Sequence, residues 1–139
     1  MAYYVYVIKL DDEDLRRDNK GRIPKRIQKQ NPHMDWDYPL RPETEFFYVG
    51  QSAHTPQCRF AQHKDCFGDN IHFKCQCPRP RRRPITNNRS NRYVRLYGLG
   101  LATHLYEHIP PIKGRINAEN KEGWLADQLR QNGHVVYFN

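Results

Sequence analysis

Long hydrophobic runs are missing from this chain of 139 residues. No stretch is apolar over the length that a bilayer crossing needs, which argues against a membrane protein. The opening residues, MAYYVYVIKL, lack the basic start and the small-residue cleavage site of a signal peptide. We therefore expect a cytoplasmic protein, in which the four cysteines stay reduced.

Acidic residues are scarce relative to basic ones, with 15 Asp and Glu against 23 Lys and Arg. The formal net charge is +8 and the pI is near 9.5. Such a surface attracts polyanions, of which nucleic acid is the commonest, and binding of this kind is sensitive to salt. Charge needed only for solubility is the alternative, so charge alone favours nucleic acid only slightly.

The length is that of one domain, residues 1–139, and such a domain can bury a core without disulfides. The mean hydropathy of -0.98 predicts long polar surface segments around that core. Two ranges without clear periodicity, 11–45 and 65–90, are expected to be long inserted loops, the first with room for one short helix.

Apolar patterns predict strands and helices outside these loops. Strands are expected at 3–10, 46–50, 99–108 and 135–138, and helices are expected from Thr55-Pro56, at 91–97 and from Asn117 to Gly133. This order predicts an α/β (α+β) fold with a small, mainly antiparallel central sheet flanked by helices. The two opening strands are expected to be antiparallel.

The last predicted helix carries a carboxylate on its apolar face. At about 100° per residue, Ala118, Leu125 and Leu129 form one stripe. Glu122 falls inside this stripe, and Glu119 lies at its margin. An inward carboxylate is costly unless it is paired or metal-bound. Either a basic partner neutralises Glu122, or this side chain lies at the floor of a cleft.

Arg59 and His63 are four residues apart, so they share one face of the helix that begins at Thr55-Pro56. Arginine suits bidentate phosphate contact, and histidine suits proton transfer near neutral pH. Alone, such a pair usually marks a solvated helix face. Here it follows directly on the sequence YVGQS at 48–52.

Taken together and in this order, these motifs resemble the GIY-YIG nuclease family. Tyr4-Val5-Tyr6 stands in place of the family's Gly-Ile-Tyr, and YVGQS in place of its Tyr-Ile-Gly-x-Ser. The Arg-x-x-x-His helix and the later helix with one glutamate follow. Two departures are Tyr4, where the family has glycine, and an unusually long segment between the first two motifs.

The resemblance implies a divalent-metal-dependent endonuclease that hydrolyses phosphodiester bonds in DNA, with RNA less expected. Glu122 would hold Mg²⁺ or Mn²⁺, and Arg59 would stabilise the scissile phosphate. Tyr6, assisted by Tyr48 or His63, would position and deprotonate the attacking water. Which tyrosine is the base stays open, and packing in the core is the alternative for both.

A proline-rich basic segment suggests further contacts with phosphate. Arg79, Arg81, Arg82 and Arg83 lie among prolines in a stretch that suits backbone or minor-groove binding. Lys64, on the helix after the second motif, is expected to join them. A disordered, solvated loop is an equally good interpretation of the segment.

Cysteines and histidines form a second constellation. The candidate zinc ligands are Cys66, His72, Cys75 and Cys77, with His54, Cys58 and His63 nearby. Zinc takes four N or S ligands in a tetrahedral array, but the Cys-x-Cys spacing is tighter than the usual two-residue gap. Reduced cysteines without a metal are therefore the better expectation, and structural zinc, which would pin down residues 65–80, is the alternative.

Two other functions remain open at this point. One is a catalytically inactive nucleic-acid-binding protein on the same fold, against which the complete set of motif residues argues. The other is a zinc-stabilised interaction module, in which the cysteine and histidine cluster is the essential feature. The oligomeric state cannot be inferred from the sequence.

Overall fold

The structure, a computed structural model, describes residues 2–65, 75, 77–78 and 91–138. Within them, five strands form one sheet. The strands are β1 (Ala2–Leu10), β2 (Phe46–Ser52), β3 (Gly98–Leu101), β4 (Ile112–Lys113) and β5 (Val135–Tyr137). The helices are α1 (Asp12–Asp18), α2 (Lys25–Gln30), α3 (Pro56–Asp65), α4 (Arg92–Tyr97) and α5 (Arg115–Gln131).

The strand order is β3-β1-β2-β5, and β4 pairs with the start of β1. β1 is antiparallel to β2, β3 and β4, whereas β2 and β5 are parallel. A parallel pair needs a long crossover connection, which here includes α5. The predictions of an α+β fold, a mainly antiparallel sheet and antiparallel opening strands are therefore confirmed.

The central strand β1 is covered on both faces. Successive side chains of a strand point to opposite faces, and Tyr6, Val7 and Ile8 are all buried. Helices α3, α4 and α5 all contact β1, and α5 also contacts β2. The sheet is therefore enclosed by helices, and the side chains that face α3 and α5 include those of the candidate site.

Residues 11–45 are more regular than an inserted loop. They contain α1 and α2, and Leu15, Ile23 and Ile27 from this segment are buried in the core. The side chain of Asn31 is also buried; it donates to the carbonyls of Ile27 (2.7 Å) and Val136 (2.8 Å) and accepts from the Val136 N–H (2.8 Å). Asn31 thus ties α2 to β5, so this segment is an integral part of the domain.

The long helix α5 begins two residues earlier than expected. Gly114, with a φ of +87°, occupies the N-cap position, and the Asn117 side chain lies one turn further along. Gly133, with a φ of +86°, follows the helix as predicted.

In the part of the chain that the structure describes, no helix is both long and apolar enough to cross a membrane.

The segment 99–108 differs from the expected single short strand. β3 ends at Leu101, and a 3-10 turn at Thr103–Leu105 follows it. Of the second expected loop, 65–90, only Asp65, Cys75, Cys77 and Pro78 belong to the described residues.

Candidate active site

A cleft of about 700 Å³ lies between β1, β2, α3 and α5. Four of the five side chains predicted to be catalytic line it, namely Tyr6, Tyr48, Arg59 and Glu122. They come from four different elements of the fold, so the cleft exists only in the folded chain. A larger cavity of about 1080 Å³ lies beside α1 and α2 and contains none of the five.

Gly50 makes room for the Tyr6 ring. The two residues are opposite each other in the β1–β2 ladder. A Cβ atom on Gly50 would lie 2.7 Å from Tyr6 Oη and 2.8 Å from Cζ, well inside van der Waals contact. Only glycine at position 50 therefore leaves room for the Tyr6 ring to lie across β2 toward the cleft. This space explains the glycine of the YVGQS sequence.

His63 lies behind Tyr6 and does not line the cleft. It is fully buried, with Nε2 at 3.2 Å from Tyr6 Oη, and its Nδ1 accepts the backbone N–H of Asn91 at 3.0 Å. Burial, and then the charge of Arg59, lower the pKa of His63 to about 2. The neutral ring must carry its proton on Nε2, because Nδ1 is an acceptor. His63 thus donates to Tyr6 and holds it in place.

Tyr6 Oη is the point at which several donors converge. Burial raises the pKa of Tyr6 to about 12, while the charge and hydrogen bond of Arg59 and a hydrogen bond from Tyr48 lower it. Burial and the neighbouring Tyr6 raise the pKa of Tyr48 well above its ordinary value. A negative charge is therefore better supported on Tyr6 than on Tyr48, because its neighbours donate to its oxygen.

Arg59 is anchored on α3 and also hydrogen-bonds Tyr6. Its Nη1 donates to Oε1 of the buried Gln62 at 2.7 Å, one turn further along α3. The side chain is half-buried and lines the cleft. A guanidinium has five N–H donors, so an anchored Arg59 keeps donors for an anionic ligand in the cleft.

Glu122 is half-buried in the cleft, one turn of α5 from the exposed Glu119. Burial, and then the charge of Glu119, raise the pKa of Glu122 to about 7. Among the described residues no ion pair reaches Glu122, whereas Glu119 pairs with Arg115 at 3.0 Å. Of the two alternatives for this carboxylate, the structure thus has the cleft rather than a basic partner.

Oxygen ligands that carry charge and lack a cationic partner suit a hard divalent ion such as Mg²⁺ or Mn²⁺. Glu122 meets this description, and Glu119 adds a second carboxylate on the same wall of the cleft. The cleft therefore contains a carboxylate that could hold the metal that the resemblance implies.

Two further polar groups of the cleft were not expected from the sequence. Gln51 Oε1 and Arg130 Nε are buried without a hydrogen-bond partner in the described part of the chain, and both side chains line the cleft. Gln51 is the variable position of YVGQS. Arg130 follows Glu122 by two steps of four residues on α5, a spacing that places both on one helix face and could have identified it.

Lys64 does not present its charge as expected for a nucleic-acid contact. Its ammonium group donates to the carbonyls of Arg95 (3.0 Å) and Gly98 (2.8 Å) at the end of α4. Lys64 therefore joins α3 to α4, because cations satisfy the carbonyls left open at a helix C-terminus. The other predicted contacts, Arg79, Arg81, Arg82 and Arg83, lie outside the described residues.

The predicted zinc ligands are only partly the ones that the structure brings together. Cys75 and Cys77 lie with His54 and Cys58, and the four candidate ligand atoms are all within 4.8 Å of one another. This cluster could hold a metal ion. The other two predicted ligands, Cys66 and His72, lie outside the described residues. The sequence indicated His54 and Cys58 only as neighbours; His54 lies just before α3, and Cys58 lies in its first turn.

Comparison of the chain with protein-family models, with curated proteins and with solved structures found no match.

Proposed function

We propose that this protein is a divalent-metal-dependent endonuclease of the GIY-YIG type that hydrolyses phosphodiester bonds in DNA. The observation that carries the proposal is the convergence of Tyr6, Tyr48, Arg59 and Glu122 in one cleft. These are the residues that the sequence motifs single out, and the motifs lie far apart along the chain. A set used only for core packing would not need an arginine and a carboxylate in an open cleft.

The metal would be held by Glu122, with Glu119 one turn away. When bound, Mg²⁺ or Mn²⁺ supplies Lewis-acid stabilisation of the charge that develops on the phosphate and the leaving group. The chain's own contribution is a half-buried carboxylate without a cationic partner among the described residues. Protons compete with the metal for Glu122, whose pKa without metal is raised to about 7, so activity at low Mg²⁺ concentration should fall as the pH drops below about 7.

Arg59 would bind the scissile phosphate. Its anchor to Gln62 fixes the guanidinium against the wall of the cleft, and the remaining N–H groups can donate to non-bridging oxygens. Because this donor is held before the substrate arrives, it stabilises negative charge without reorganising during the reaction.

Tyr6 is the better candidate for the base. In this proposal it reacts as the phenolate, takes a proton from the attacking water on Oη and returns that proton to solvent. The Nε2–H of His63 and the hydroxyl of Tyr48 donate to the same oxygen and stabilise the phenolate. Since the pKa of Tyr6 is about 12, the rate should still rise with pH above 8.

A basic groove offers a surface for the DNA backbone. The cavity beside α1 and α2 is lined by five basic residues, Arg16, Lys20, Arg22, Lys25 and Arg26. With the net charge of +8, this groove supports binding to a polyanion.

DNA is proposed rather than RNA from the resemblance alone. A cytoplasmic location remains a prediction.

Incubation of supercoiled plasmid with the protein tests the proposal. With Mg²⁺ or Mn²⁺ we expect nicked or linear plasmid, and with EDTA we expect intact plasmid. Intact plasmid with either ion, accompanied by retardation in a low-salt gel, would contradict the proposal and favour a catalytically inactive nucleic-acid-binding protein.

A further inference from the structure

A second metal centre is indicated at the start of α3, away from the cleft. His54 Nδ1 lies 3.6 Å from Cys58 Sγ, 3.4 Å from Cys75 Sγ and 3.5 Å from Cys77 Sγ. Cys58 Sγ and Cys75 Sγ are 3.8 Å apart. None of the four residues lines the catalytic cleft.

These distances match a tetrahedron of ligands around one ion. With Zn–S of about 2.3 Å and Zn–N of about 2.0–2.1 Å, tetrahedral geometry places two sulfur atoms about 3.8 Å apart and sulfur about 3.6 Å from nitrogen. The separation of the Cys58 and Cys75 sulfurs excludes a disulfide, which needs about 2.05 Å. The three sulfur–nitrogen distances and the Cys58–Cys75 sulfur distance are those that a shared zinc ion would impose.

His54 Nδ1 is a shared neighbour of three sulfur atoms. His54 Nδ1 has a single lone pair, so it can accept from only one thiol at a time. Nevertheless, three sulfur atoms lie within 3.6 Å of it. A metal ion at the centre satisfies all four groups at once, because each ligand then directs its lone pair at the same point.

A helix start and a backbone N–H lie beside two of the sulfur atoms. Cys58 is buried in the first turn of α3, where the N-terminal end of a helix stabilises negative charge. The backbone N–H of Thr55 donates to Cys77 Sγ at 3.3 Å. Contacts of this kind orient metal ligands and support their charge.

We propose a structural zinc site in this protein, independent of the proposed catalytic cleft. Its four ligands are His54, Cys58, Cys75 and Cys77. Three thiolates and an imidazole select zinc over Mg²⁺ or Mn²⁺, which prefer oxygen. Four protein ligands leave no open position, as in structural rather than catalytic zinc sites. Because Cys58 precedes Arg59 on α3, the ion ties Cys75 and Cys77 to the helix that carries the phosphate-binding arginine.

Metal analysis of protein purified without chelator tests this proposal. We expect about one zinc per chain in the wild type, and loss of that zinc in Cys75→Ser and in Cys77→Ser, whose side chains are only half-buried. Cobalt substituted for zinc should give the intense visible bands of a tetrahedral thiolate site. His54→Ala should lose the metal, whereas His54→Cys should retain it as a four-cysteine site.

Three control variants make the test specific. Cys66→Ser and His72→Asn remove the ligands of the alternative set and should retain the zinc. Glu122→Gln removes the ligand of the cleft and should also retain it, so the result does not depend on nuclease activity. Wild-type protein without zinc and without a cobalt–thiolate spectrum would overturn the proposal. Loss of zinc in any of these three controls would overturn the ligand set.

Discussion

Gly50 shows how a single residue shapes the candidate site. The Tyr6 ring occupies the space that any larger side chain at position 50 would need. The backbone of Gly50 does not have a positive φ, so alanine would not strain the backbone conformation itself. The cost of a substitution would therefore fall on the position of Tyr6.

We expect Gly50→Ala to lower DNA cleavage by about 100-fold, because displacing a catalytic group by about 1 Å has an effect of that size. The matched control is Gly100→Ala on β3, where a Cβ would meet nothing within 4 Å and activity should not change. Circular dichroism would verify that both variants fold. Full activity in Gly50→Ala would show that the close approach of Tyr6 to β2 is not needed for catalysis.

The buried side chain of His63 makes the folding stability depend on pH. Its pKa is about 2 in the folded protein and near the ordinary 6.5 in the unfolded chain. Because the pKa is depressed in the folded protein, the stabilisation is fully present above pH 6.5. It is lost as the pH falls below that value, by about 1.4 kcal/mol per pH unit. Glu122 acts in the opposite sense, because its raised pKa favours the fold at low pH.

We therefore expect His63→Gln to lose less stability than the wild type between pH 6.5 and pH 5, with a difference of about 2 kcal/mol. Urea unfolding in EDTA at both pH values measures it. The exposed His108 provides the control, since His108→Gln should behave as the wild type does. Equal pH dependence in the wild type and His63→Gln would mean that His63 is protonated in the folded protein.

At the scale of elements, the start of a helix was predictable where the expected side chain caps it. The start of α3 was predictable because Thr55 Oγ1 accepts the N–H of Cys58 (3.3 Å), as the Thr-Pro pattern indicates. The start of α5 was not, since Gly114 occupies the N-cap position and Asn117 instead donates to the Lys113 carbonyl.

Of α1 and α2, the sequence predicted only room for one short helix within 11–45, because tertiary contacts stabilise both. They have seven and six residues, too short to be stable in isolation. Leu15 and Ile27 hold them to the core, and the Asn31 side chain joins α2 to β5 across a sequence separation of 105 residues. No pattern within 11–45 contains this information.

The candidate site was also predictable only in part, because the sequence shows the spacing of motif residues but not the tertiary contacts between them. Order and spacing of motifs were enough to select Tyr6, Arg59 and Glu122, which the fold then brings into one cleft. Spacing could not show that His54 and Cys58 lie with Cys75 and Cys77, because that depends on how the chain returns to the start of α3.

For the whole molecule, the two candidate metal sites have opposite chemistry. The cleft offers carboxylate oxygen, and the cluster beside α3 offers sulfur and nitrogen. The proposed zinc ion and the proposed hard cation would therefore not compete for the same ligands. If a chelator abolishes cleavage and Mg²⁺ alone restores it, the metal needed for cleavage is the one in the cleft.

The nuclease proposal is tested most directly by measuring DNA binding and DNA cleavage side by side in Glu122→Gln and in Glu107→Gln, an exposed control. We expect Glu122→Gln to bind DNA as tightly as the wild type, since no positive charge is lost, and to cleave it on the order of 1000-fold more slowly. Glu107→Gln should match the wild type in both. Cleavage by Glu122→Gln at the wild-type rate would contradict the assignment of the catalytic site to this cleft.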